Sequence, residues 1–117
     1  MPHPDLQIIF EDKYLLALNK PHGIVVEHEP NLKYTLQSRA LDYIRSKEKY
    51  PQKCFIGVPH RLDRPVSGVV LFSKKKLVLK MLADIFYKRE IEKIYLAVTD
   101  NRPQKDEGEV VNWLVNQ

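Results

Sequence analysis

Apolar residues fall into short, separate runs along the first part of the chain. Residues 6–10 form one run, Glu11-Asp12-Lys13 follows as a charged turn, and residues 14–19 form a second. Two such runs around a polar turn predict a β-hairpin. It closes at Lys20-Pro21-His22-Gly23, where Pro and Gly punctuate the chain. Ile24-Val25-Val26 reads as a further short strand. The period then changes. Across residues 35–49, Leu36, Ala40, Tyr43 and Ile44 share a helical face, and Pro51 bounds the helix. Residues 54–59 read as irregular chain or a short strand. Residues 68–73 are a continuous apolar run, the mark of a buried strand. Helical spacing returns over 77–88, with Val78, Met81, Leu82, Ile85 and Phe86 together. Ile91, Ile94, Tyr95, Leu96, Ala97 and Val98 favour a strand over 90–99. Residues 101–108 form a polar loop around Pro103, and 108–115 begin a last strand with Val110, Val111, Trp113, Leu114 and Val115. The order predicts a mixed α/β (α+β) domain, its sheet largely antiparallel, with two helices on the flanks.

Composition narrows this. A chain of 117 residues fits one domain with a real core. Its hydrophobic and charged fractions, 44% and 29%, exclude a disordered tail. No apolar run approaches the ~18 residues that span a bilayer. Residues 1–5 lack the basic and apolar stretches of a signal peptide. Cys54 is the sole cysteine, so no intramolecular disulfide forms; with the preceding features this makes the expected location cytoplasmic. The net charge of +4 points weakly to a polyanionic partner. His3, His22, His28 and His60 have no metal-site spacing, so no metal is expected.

The stretch that carries chemistry is His60-Arg61-Leu62-Asp63-Arg64-Pro65-Val66-Ser67-Gly68, a polar loop that feeds the most apolar strand. Asp63 lies between two arginines. Guanidinium groups a few ångströms away hold a carboxylate ionised, ready to act as a nucleophile or to face a developing cation. The arginines also suit phosphate. Pro65 stiffens the loop, and Gly68 permits close backbone approach. The alternative is a solvated surface cluster of little energetic value.

The motif His60-Arg61-Leu62-Asp63-x-x-x-Ser67-Gly68-x-x-Leu71-Phe72-x-Lys74 resembles the signature of RNA pseudouridine synthases of the RluA type. Two further stretches match that family in order: Ile9-Phe10-Glu11-Asp12 with Leu15 to Asn19 and Lys20-Pro21-x-Gly23, and Phe86-x-x-Arg89-x-x-x-Lys93-x-Tyr95-x-Ala97-Val98. The resemblance implies isomerisation of uridine to pseudouridine in ribosomal or transfer RNA, without cofactor or metal. It makes Asp63 the essential residue, Arg61 a catalytic and RNA-gripping residue, and Tyr95 the active-site tyrosine. Asp63 then faces the positive character left on the ribose as the base detaches, where a carboxylate can stabilise the charge, bond to the carbon or take a proton from the sugar; the sequence does not choose among the three. The base must leave its stack first, and Arg61 can stack in the gap while pairing with Asp63. Tyr95 offers a ring for uracil and a hydroxyl near the reacting atoms, with Lys93 on the same side of a strand. Arg61, Arg64, Lys74, Lys75, Arg89 and Lys93 are the expected RNA contacts. His60, Leu62, Ser67 and Gly68 are expected to support the loop, and Lys20 to support the fold at the hairpin exit or to touch RNA.

The chain departs from the pattern in two ways. Val66 stands where the family has Thr, which removes one hydroxyl from the loop. The chain is also short, and a third motif carrying a basic partner for the aspartate is missing. Residues 1–117 therefore read as the N-terminal part of such a catalytic domain, its C-terminal half absent. Two other readings stay open: a non-catalytic RNA-binding fragment, and a protein-interaction fragment that self-associates through its last strand.

Overall fold

The hairpin forms as the pattern predicts. In the computed structural model, which describes residues 6–116, β1 (Gln7–Glu11) pairs antiparallel with β2 (Leu15–Lys20). Asp12 makes the turn. Its Oδ1 accepts the backbone N–H groups of Tyr14 and Leu15, both at 2.7 Å, as short polar side chains do in turns. The register slips between Ile8 and Phe10, a bulge on this edge strand. The N-terminal stretch read for a signal peptide, with its His3, lies outside the described residues.

β3 (Gly68–Ser73) pairs antiparallel with β2, giving a three-stranded sheet in the order β1-β2-β3. Side chains alternate across it. Leu16, Leu18 and Lys20 of β2 and Val70 and Phe72 of β3 are fully buried. Helix α1 (Leu36–Lys47) adds Leu36, Ala40 and Ile44, and Val26 and Ile56 complete the core. Thr35 caps α1. Its Oγ1 accepts the Ser38 N–H at 3.1 Å, and Ser38 Oγ accepts the Thr35 N–H at 2.9 Å.

The short strand expected at Ile24-Val25-Val26 does not form, for a physical reason. The carbonyls of Val25 and Val26 accept the N–H groups of Leu36 and Gln37, both at 2.9 Å. They satisfy donors that a helix start leaves free, so they are not available to a sheet. The stretch read as irregular or a short strand bridges Ser73 of β3 through Gly57, with N···O distances of 2.9 and 3.0 Å. A short 3-10 turn, Pro51–Lys53, precedes it.

Helix α2 (Lys76–Tyr87) follows β3. Its apolar face is only half covered: Val78, Leu82, Ile85 and Phe86 are partly buried, while Met81 is exposed. It ends in a Schellman motif. Arg89 N–H donates to Phe86 O at 3.2 Å and Glu90 N–H to Ile85 O at 3.0 Å, with Arg89 left-handed at φ 56°.

The two strands expected over 90–99 and 108–115 are corrected. Both stretches lack regular structure, and Leu96, Val98, Trp113 and Leu114 stand in solvent. A strand exists only through a ladder partner, and segment 57–60 already lies along part of the open edge of β3. The polar loop between them is as expected, with Arg102 paired to Asp106 at 3.2 Å.

Candidate active site

The loop from His60 to Ser67 sits where the open edge of β3 meets the end of the hairpin. Three contacts hold it. The first is His60, whose Nε2 accepts the Leu71 N–H at 2.9 Å and so fills an edge position of β3. Its ring stacks on Phe86 of α2 at 4.5 Å and 16°. Burial, and secondarily the Lys93 ammonium, push its pKa below 6.5. The imidazole is therefore neutral with its proton on Nδ1. The second is Leu62, packed against the core beside Gly68. Gly68 has φ 145°, a backbone setting that side-chain-bearing residues rarely adopt, and a Cβ there would lie 3.5 Å from Leu62 Cδ1.

The third contact comes from below. Lys20 is in phase with Leu16 and Leu18, so its side chain points into the core and is fully buried. Its Nζ donates to Pro21 O at 2.9 Å, Ile24 O at 2.8 Å and Arg64 O at 3.1 Å. The Arg64 carbonyl also accepts the Gly23 N–H at 2.7 Å. The Lys-Pro-x-Gly turn thus grips the residue next to Asp63. Burial lowers the Lys20 pKa, and the Asp63 charge partly restores it. Of the two readings of Lys20, fold support agrees with this geometry; contact with RNA does not, because all three ammonium protons are engaged.

Asp63 itself is exposed. Its carbonyl accepts the Val66 N–H at 2.9 Å, closing a turn that needs no hydroxyl at position 66. The expected Arg61–Asp63 pair is not formed. Arg61 lies 3.7 Å from Glu27, and both side chains are largely exposed. Among the described residues Asp63 takes part in no ion pair. The residue is held in place through the backbone of its loop, while the residue as a whole is exposed.

The other expected site residues divide by location. Arg64 and Ser67 are exposed on the same loop. Lys93 reaches the loop's flank, its Nζ 5.4 Å from the Phe86 ring centre. Arg89 is exposed at the end of α2. Tyr95 lies in the extended stretch, 62% exposed, so the argument that Lys93 and Tyr95 share one strand face fails. Lys74 and Lys75 follow the far end of β3, about 20 Å from Gly68 at the usual rise per residue. Lys74 is largely buried against Glu11 Oε2 at 3.0 Å and Asp12 O at 2.8 Å, so it is removed from the loop contacts. Glu27, which Arg61 approaches, is what sequence reasoning missed; the support expected from Lys20 is present and reaches the Arg64 carbonyl. The signal for Lys20 was present, since it continues the alternation of Leu16 and Leu18.

Among the described residues no group of three or more His, Cys, Asp or Glu side chains gathers as metal ligands. No described helix is long and apolar enough to cross a membrane.

Residues 14–117 match the family described as RNA pseudouridylate synthase, and the chain belongs to it. It is 37% identical over 103 residues to ribosomal large subunit pseudouridine synthase C of Rickettsia bellii (strain RML369-C), covering 88% of this chain and 32% of the relative. It is 39% identical over 92 residues to the protein of the same name from Pasteurella multocida (strain Pm70), covering 79% of this chain and 26% of the relative. The chain thus spans about a third or less of these relatives. The solved structure of human RNA pseudouridylate synthase domain containing 4 superposes with a TM-score of 0.58 at 23% identity, over 72% of this chain and 30% of that one, and supports the fold.

Proposed function

We propose that this chain is the N-terminal part of a catalytic domain that isomerises uridine to pseudouridine in structured RNA, with Asp63 as the essential residue. The observation that carries the reading is Asp63 itself. It is an exposed carboxylate, free of ion pairs among the described residues, on a loop pinned by His60, Leu62 and Lys20. A carboxylate whose backbone is fixed and whose oxygens remain open is preorganised for a charge that arrives with the substrate.

The everted nucleotide meets the loop at Asp63. Breaking the bond from ribose carbon 1 to ring nitrogen 1 leaves positive character on the sugar, which Asp63 stabilises. The base turns, ring carbon 5 bonds to the ribose, and the proton of carbon 5 is lost while nitrogen 1 gains one. The reaction is balanced without oxidant or metal. Arg61 and Arg64 hold phosphate or fill the vacated stack, since their guanidinium groups are exposed beside Asp63. Tyr95 meets the uracil ring once the segment that carries it packs beside the loop. The relatives' names favour ribosomal RNA as substrate.

The test is tritium release from RNA labelled at uracil carbon 5, using the full protein that contains this chain. Release is expected from the unaltered protein and not from Asp63→Ala; equal release from both removes Asp63 from the mechanism. A second reading, RNA binding without conversion, is favoured by the exposed basic side chains Arg61 and Arg64 on the loop. Salt-sensitive filter binding by the 117-residue chain, with no base conversion, supports it.

A further inference from the structure

The sheet has a second charged end, away from Asp63. There the β1–β2 turn, the end of β3 and the end of α1 enclose a cleft of about 280 Å³. Lys13, Lys53, Lys74 and Lys75 line it together with Tyr50 and Phe55. Lys49 and Lys76 add to the same surface through the rings they cover. The nearby acids are mostly engaged. Glu11 is held by Lys47 and Lys74, and the Asp12 carboxylate accepts two backbone N–H groups; Glu48 is the acid in the lining. Lys13, Lys49, Lys53, Lys75 and Lys76 form no ion pair among the described residues.

The lysines are interleaved with aromatic rings. The Nζ atoms of Lys53 and Lys49 lie 5.3 and 5.7 Å from the Tyr50 ring centre, Lys76 lies 6.0 Å from Phe55, and Lys13 lies 5.6 Å from Tyr14. Tyr50 is 54% exposed and Tyr14 48%. A solvated lysine face does not need half-exposed rings. Ammonium groups that track phosphates, next to rings on which bases stack, are what a single strand of nucleic acid requires. An acidic peptide would satisfy the charges and leave the rings idle.

We propose that this cleft is a second RNA-binding surface, which takes single-stranded RNA by phosphate contact to Lys13, Lys53 and Lys75 and by stacking on Tyr50. It rests on the RNA reading above for the identity of the polymer, and it lies apart from the catalytic loop. The length of β3 separates the two, about six phosphates along a stacked strand. One RNA can therefore occupy both, with its target uridine at Asp63 and a flanking strand here.

The test is fluorescence anisotropy of the 117-residue chain with a labelled oligouridylate of about 12 nucleotides across a salt series. Heparin and polyglutamate serve as competitors, and circular dichroism checks the fold of each variant. The triple variant Lys13→Ala, Lys53→Ala, Lys75→Ala is expected to bind at least about tenfold more weakly, with its salt slope reduced by about 2. Tyr50→Ala is expected to weaken RNA binding about tenfold, keep the salt slope and leave heparin binding unchanged. An unchanged slope in the triple variant overturns the proposal. So does a Tyr50→Ala loss that is equal for heparin, which marks a general anion patch. Displacement of RNA by polyglutamate at equal charge reassigns the surface to an acidic protein. Binding lost in Arg61→Ala, Arg64→Ala but kept in the triple variant overturns this surface and leaves the Asp63 reading intact. Absence of RNA binding by the unaltered chain removes this surface, while tritium release still judges Asp63 separately.

Discussion

Glu11 and Asp63 stand at opposite ends of one sheet and are opposite in kind. Glu11 is largely buried. Burial alone would raise its pKa, but the Tyr43 hydroxyl at 2.6 Å and the Lys74 and Lys47 ammonium groups outweigh that and hold it at about 2. Every strong interaction it could make is already made. Asp63 has its backbone fixed, while its carboxylate takes part in no ion pair among the described residues. The difference separates an acid engaged in holding the fold from one left exposed on a pinned loop.

The contrast can be broken most sharply at Asp63. Asp63→Ala should lower uridine conversion by the full protein at least about a thousandfold. The urea midpoint of this chain should fall only slightly, because the exposed side chain's one contribution is the support its charge lends the buried Lys20 ammonium. A large loss of stability would show that Asp63, like Glu11, belongs to the scaffold.

Lys20 connects the two kinds of role. Lys20→Met keeps the length of the side chain but strands the carbonyls of Pro21 and Ile24 and leaves the Arg64 carbonyl with the Gly23 N–H alone. Urea unfolding should show a loss of about 3 kcal/mol. Conversion by the full protein should fall as well, because the Arg64 end of the loop loses one of its two anchors.

Glu11→Gln should cost about 2 kcal/mol at neutral pH. The sign follows from the lowered pKa. The Glu11 contribution is complete above 4.5, where the unfolded carboxyl is ionised, and it disappears as pH falls through about 2. Unfolding curves of the two proteins should therefore converge in acid. Conversion should be unaffected.

His60 gives a smaller pH effect of the same direction. Its folded pKa lies below 6.5, so the neutral ring contributes fully above 6.5 and loses that contribution as pH falls through the folded value. His60→Gln should flatten the stability profile in that window, an effect smaller than that of Glu11→Gln. The smallest effect is expected at Arg89. Its left-handed backbone suits glycine, so Arg89→Gly should stabilise the chain by about 1 kcal/mol in thermal unfolding. If Arg89 also touches RNA, affinity should drop at the same time.

Much of the scaffold could be read before any coordinates. The hairpin, the buried strand after the charged loop and both helices appeared where the periodicity placed them, and Leu36, Ala40 and Ile44 do face the core. Reading failed where a segment's partner lies far along the chain. Ile24-Val25-Val26 looks like a strand in composition, yet its carbonyls cap α1. Residues 90–99 and 108–115 carry strand-forming side chains and find no ladder. Arg61 stands two residues from Asp63 but leans towards Glu27, because neighbours in sequence on an irregular loop need not face each other.

Residue order alone was enough for local matters: where periods change, where turns must fall, which loop gathers charge, and which family the motifs resemble. Those properties depend on side chains a few positions apart. Folding assigned the partners. It joined Lys20 to Arg64, His60 to Leu71 and Phe86, and Lys74 to Glu11, and left Asp63 exposed. Such pairings connect residues distant along the chain, and the same short charged stretch acts as scaffold or site according to which of them it receives.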